Sequence, residues 1–87
     1  MRVLVVEDDL DLINLLEEGL TMYGYAVDKA TNGEEAIEMA YIENYDIVIL
    51  DINLPKKDGF EVLDEIRKFN QEVNIIMLTA RSDICLL

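Results

Sequence analysis

Carboxylates are the residues best placed to do chemistry in this chain. Glu7-Asp8-Asp9 follows the apolar run Val3-Leu4-Val5-Val6, and Asp51 follows Ile47-Val48-Ile49-Leu50. If those two runs are neighbouring strands, three or more carboxylates converge at one sheet edge. Clustered acids raise one another's pKa and cost stability unless a cation neutralises them, and a hard divalent metal with oxygen ligands does so. Magnesium fits this donor set: one or two carboxylates hold it, and it keeps waters and phosphate oxygens in its other positions. A metal with open positions points to phosphoryl chemistry.

Each of these residues also has a plainer role available. Acids at a helix start favour the positive end of the helix dipole and cap it. Asp51 also opens Asp51-Ile52-Asn53-Leu54-Pro55, where Asn and Pro favour a turn. Acids at two adjacent strand ends weaken both plain readings together. Thr79, closing the run Ile75-Ile76-Met77-Leu78, offers a hydroxyl to a phosphoryl oxygen, although threonine is also simply a strand former. Lys56 and Lys57 read as solvated loop charge and are given no catalytic role.

Other chemistries fail on composition. The turn Glu7-Asp8-Asp9-Leu10 lacks the glycines of dinucleotide and P-loop sites. Lys56 stands where a calcium loop opening at Asp51 would need glycine. The chain has no histidine and one cysteine, Cys85, so no Ser-His or Cys-His pair, zinc site or internal disulfide is available.

The elements that would position the acids are legible from periodicity. Val3–Val6, Ile47–Leu50 and Ile75–Leu78 are short, continuous and rich in branched residues, as parallel strands buried on both faces are. Ala26-Val27-Asp28-Lys29-Ala30 alternates, which suits a strand at the sheet edge. Ile13, Leu16, Leu20 and Tyr23 share one face of a helix from about Asp9 to Tyr23, stopped near Gly24. Ala36, Ile37, Ala40 and Tyr41 mark a second helix beginning near Gly33. Val62, Ile66 and Phe69 mark a third behind the capping-box pattern Asp58-Gly59-Phe60-Glu61. The alternation of strands and helices predicts an α/β fold with right-handed crossovers and helices on both faces of a parallel sheet.

With 87 residues, 19 acids and 7 bases, the formal charge is −12. One small domain spanning residues 1–87 is expected. The charge disfavours nucleic acid and anionic membrane as direct partners, and no apolar stretch approaches the ~18 residues of a membrane span. Glu7-Asp8-Asp9 interrupts the amino-terminal apolar run before a signal-peptide core forms, so a cytoplasmic location is expected. The charge also raises a nucleic-acid mimic as a reading, which the placement of the acids at strand ends does not favour.

Val-Leu-Val-Val-Glu-Asp-Asp, Asp46-Ile-Val-Ile-Leu-Asp51-Ile-Asn-Leu-Pro55, Asp58-Gly59 and Met77-Leu-Thr79-Ala80 together resemble the receiver domain of two-component response regulators. The wording is most similar to receivers of winged-helix transcriptional regulators. The resemblance covers Met1 to Asp83 and implies a flavodoxin-like, doubly wound parallel sheet of strand order 2-1-3-4. It implies Asp51 as phosphoacceptor from a sensor histidine kinase or small phosphodonor. Asp8 would ligate Mg2+ directly and Glu7 more often through water, with Asp51 and the backbone carbonyl of Asn53 as further ligands. Thr79 would be the switch hydroxyl, while Pro55, Asp58 and Gly59 would shape the loop. Such a domain catalyses only its own phosphorylation and dephosphorylation, so it is not expected to be an enzyme acting on other substrates.

The family domain continues through a helix, a strand and a further helix beyond the fourth strand. The tail Arg81–Leu87 is too short for a covering helix, so the sequence predicts an incomplete sheet of four strands and three helices. Its Asn74–Thr79 edge would be left open to homo-oligomerisation by strand addition or exchange of elements. The alternative reading from another class is a truncated receiver that serves as an interaction or dimerisation module without phosphorylation.

Overall fold

The computed structural model describes residues 1–78 and the backbone of residues 84–86. Branched apolar residues crowd a helix but pack well on a pleated surface, and the runs rich in them form β1 (Arg2–Val6), β3 (Ile47–Asp51) and β4 (Asn74–Leu78). The alternating segment is β2 (Ala26–Ala30), and it lies at one edge of the sheet. The described order is β2-β1-β3-β4-β5, where β5 is Ile84–Leu86, with the first four strands parallel. This is the doubly wound order 2-1-3-4 expected of a flavodoxin-like fold.

Three helices connect the parallel strands: α1 (Leu10–Met22), α2 (Gly33–Ile42) and α3 (Gly59–Phe69). Each begins at a side chain that satisfies backbone N–H groups otherwise left without partners. Asp9 accepts from Asp11 N at 3.0 Å and Leu12 N at 3.2 Å. Asn32 accepts from Glu35 N at 2.9 Å, and Asp58 accepts from Glu61 N at 2.9 Å. The expected capping box at Asp58 and Glu61 is complete.

Strand alternation divides the core between two faces. Leu4, Val6, Val48, Leu50, Ile75 and Met77 pack with Ala36 and Ala40 of α2 and Val62 and Ile66 of α3. Val3 and Val5 pack with Ile13, and with the partly buried Leu16 and Leu20 of α1, on the other face. Three residues assigned to buried faces by spacing, Tyr23, Tyr41 and Phe69, are exposed. Tyr23 is the C-cap of α1, where the helical period has ended. Tyr41 instead meets Phe69 of α3 edge to face, with ring centroids 5.3 Å apart.

One expectation is corrected. The Asn74–Leu78 edge is not open, because Ile84–Leu86 forms a fifth strand, β5, paired antiparallel to β4. The register joins Ile76 to Leu86, Met77 to Cys85 and Leu78 to Ile84. A tail too short for a helix is long enough for a strand of three residues, which supplies partners to β4 backbone groups at little loop-closure cost. The premise for oligomerisation through an uncovered β4 edge is thereby removed. Among the described residues, no helix is long and apolar enough to cross a membrane.

Candidate functional site

Register brings the acids together. Val6 of β1 lies beside Leu50 of β3, so the residues that follow each of them, Glu7 and Asp51, leave the sheet side by side at its carboxyl edge. Carboxylate oxygens of Glu7, Asp8 and Asp51 lie within 4.8 Å of one another. In open α/β sheets this edge, where the winding direction reverses, is where ligands bind.

The three carboxylates are held differently. Glu7 is only 5% exposed, and its Oε2 accepts the backbone N–H groups of Asp8 at 2.9 Å and Asp9 at 3.5 Å. Burial, followed by the hydrogen bond and negative charge of Asp51, pushes the Glu7 carboxyl up to about 7. Asp51 is half-buried and its Oδ1 accepts from Asn53 N at 3.2 Å. Asp8 is exposed. The adjacent Asp9 is occupied as the α1 N-cap, so the plain capping role holds for one of the three consecutive acids, while the other two face Asp51.

The loop after Asp51 is fixed by close backbone packing. Gly59 donates its N–H to Ile52 O at 2.7 Å, closing the segment between them. A Cβ at Gly59 would lie 2.6 Å from Asp51 O and 2.7 Å from Ile52 Cα, so only glycine permits this approach. Lys57 donates its N–H to Pro55 O at 2.8 Å, around Lys56 at φ 69°. That left-handed conformation is unfavourable for a residue with a Cβ. Lys57 acts electrostatically on Glu65 of α3, consistent with a surface charge. Thr79 follows Leu78, the β4 partner of Asp51, but lies outside the described residues.

The donor set suits a hard cation. Three carboxylates whose oxygens fall within one small sphere match Mg2+ chemistry, and the negative charge of Asp51 adds to burial in raising the Glu7 carboxyl. Among the described residues, Glu7, Asp8 and Asp51 are the side chains able to hold the ion. A doubly wound sheet with an acidic cluster at its switch point, and an Asp51 side chain within reach of solvent, defines a class of α/β domains built to hold a cation at the carboxyl edge of the sheet.

Comparison with known proteins agrees. Residues 3–86 match the response regulator receiver domain family, and the chain belongs to that family. It is 48% identical over 83 residues to "Probable transcriptional regulator ycf27" of Guillardia theta, covering 95% of this chain and 32% of that protein. The chain thus spans about a third of the length of the curated relative it matches. The response regulator TrrA of Thermotoga maritima, in complex with Mg2+-BeF, shares 49% identity with a TM-score of 0.87, over 91% of this chain and 69% of that one. TrrA in complex with the histidine kinase ThkA superimposes with the same TM-score, 0.87, and 49% identity, over 94% of this chain and 71% of that one.

Close packing at two glycines could not be read from the sequence. Gly59 was expected to shape the loop, but nothing in the sequence indicated that it touches the Asp51 backbone itself. Gly33 showed only as a helix start, yet it abuts the same loop from α2.

Proposed function

We propose that this chain is a Mg2+-dependent phosphoacceptor receiver that takes a phosphoryl group on Asp51 from a sensor histidine kinase. In a longer cytoplasmic regulator the modified state would switch a transcriptional output. The observation that carries the reading is the convergence of Glu7, Asp8 and Asp51 at the switch point of the sheet. The regulator relatives support the output, and the TrrA–ThkA complex supports the kinase as partner.

Glu7, Asp8, Asp51 and the Asn53 carbonyl would hold the ion. When bound, Mg2+ neutralises charge spread over the phosphoryl oxygens. An Asp51 carboxylate oxygen attacks phosphorus, the bond to the donor's histidine nitrogen or acetate oxygen breaks, and an acyl phosphate forms. Asn53 N–H, bonded to Oδ1, orients the carboxylate and leaves Oδ2 to attack. Thr79 would donate its hydroxyl to the transferred group. In-line attack of water on phosphorus later returns the carboxylate and releases inorganic phosphate. The chemistry is self-directed, so the chain is not an enzyme toward other substrates.

Mass spectrometry after incubation with acetyl phosphate tests this reading. The expected result is a Mg2+-dependent gain of one phosphoryl group, absent in Asp51→Asn. A folded sample that gains none would overturn it in favour of an interaction module.

A further inference from the structure

We propose that Gly33, at the first turn of α2, is a positioning residue for the metal-binding loop. The inference rests on the Mg2+ reading above and concerns how the loop holding Asp51 and Asn53 is kept in place. Gly33 is buried, and a Cβ there would lie 2.7 Å from Lys57 O, 2.7 Å from Val62 Cγ2 and 2.8 Å from Lys57 Cβ. Two of these contacts belong to the loop itself, one of them a backbone atom. They cannot be relieved by swinging the end of a flexible side chain.

The loop has little freedom to absorb a push. The segment from Asn53 to Asp58 is closed at its base by the Gly59 N–H to Ile52 O hydrogen bond, 2.7 Å long. Within it, Pro55 fixes its own φ, and Lys56 sits at φ 69° in a tight turn closed by Lys57 N–H on Pro55 O at 2.8 Å. Strained backbone of this kind persists only where the surroundings over-determine it. Gly33 is one of those surroundings: it forms the wall against which Lys57 rests. Displacing Lys57 therefore moves the closed segment as a unit and shifts Asn53, whose N–H orients Asp51 and whose carbonyl is the proposed backbone ligand. α2 carries no ligand of its own, so the effect on the site is transmitted through its contacts with Lys57 and with Val62 of α3.

Calorimetric titration with Mg2+ of wild type, Gly33→Ala and Ala40→Gly tests the inference. Ala40 lies near the other end of α2, so its variant reports what general weakening of the helix does. The expected result is that Gly33→Ala binds Mg2+ about tenfold more weakly, as loss of outer support around a metal site does, with unchanged far-ultraviolet dichroism. Ala40→Gly should bind as wild type does. Equal binding by wild type and a folded Gly33→Ala overturns the inference alone, whereas a wild type that binds no Mg2+ overturns the functional reading and the inference together. If Gly33→Ala does not fold, Mg2+ titration of 15N-labelled wild type decides. The Gly33 amide should shift with the same saturation as Gly59, while Gly19 and Gly24 remain still. A stationary Gly33 beside a shifting Gly59 overturns the inference.

Discussion

Replacing Glu7 with Gln should stabilise the metal-free protein at neutral and alkaline pH. The Glu7 carboxyl is raised from 4.5 to about 7 in the folded chain, first by burial and then by Asp51. The folded state therefore holds this proton more tightly than the unfolded state does. Its stabilising contribution is complete below about pH 4.5 and is lost as pH rises through about 7. The difference corresponds to at most roughly 3 kcal/mol at pH 8, at 1.36 kcal/mol per pH unit. For a domain of this size that is on the order of 15 °C in Tm. Glutamine mimics the protonated form: its carbonyl accepts from Asp8 and Asp9 N–H, and its amide donates toward Asp51. Thermal unfolding in a metal chelator at pH 5, 6, 7 and 8 measures the effect. Wild type should lose stability relative to Glu7→Gln across this range, and the two should approach each other at pH 5. Saturating Mg2+ should restore the wild type at pH 8 and help Glu7→Gln much less, because the cation removes the same repulsion. Parallel wild-type and variant profiles would refute the assignment of a buried, repelled carboxylate at this position.

Three further outcomes follow from local geometry. Gly59→Ala drives a Cβ against Asp51 O and Ile52 Cα, so urea unfolding should show a loss of about 1–3 kcal/mol together with weaker Mg2+ binding. Asp58→Ala removes the side-chain acceptor of Glu61 N–H from the α3 capping box and leaves the backbone N–H of residue 58 on Glu61, and chemical denaturation should report a cost of about 1 kcal/mol with Mg2+ affinity nearly unchanged. Lys56→Gly relieves the left-handed backbone at φ 69°; the strain of about 1–3 kcal/mol outweighs the roughly 0.4–1 kcal/mol gained by the unfolded chain, so Tm should rise by a few degrees. A fall in Tm would show that Lys56 makes a contact worth more than the strain.

What the sequence determined by itself is local. Unbroken branched runs specified β1, β3 and β4 as buried strands, alternation specified β2 as an edge, and the pattern Asp58-Gly59-Phe60-Glu61 specified a capping box that the structure contains. Such features depend on neighbours a few residues apart, which periodicity and capping chemistry encode directly. The sequence also marked Glu7, Asp8 and Asp51 as carboxylates at strand ends, but their meeting was conditional on β1 lying beside β3. Tertiary structure supplied that pairing, and it separated the consecutive acids: Asp9 turns to cap α1, while Glu7 is buried against Asp51. It also decided that Ile84–Leu86 returns to β4 as an antiparallel strand. Short apolar tails have no periodicity to read, and their fate depends on whichever edge lies within reach. The two close glycine contacts were settled only in three dimensions, because what makes Gly33 and Gly59 necessary is the backbone of a distant segment occupying the space where a Cβ would stand.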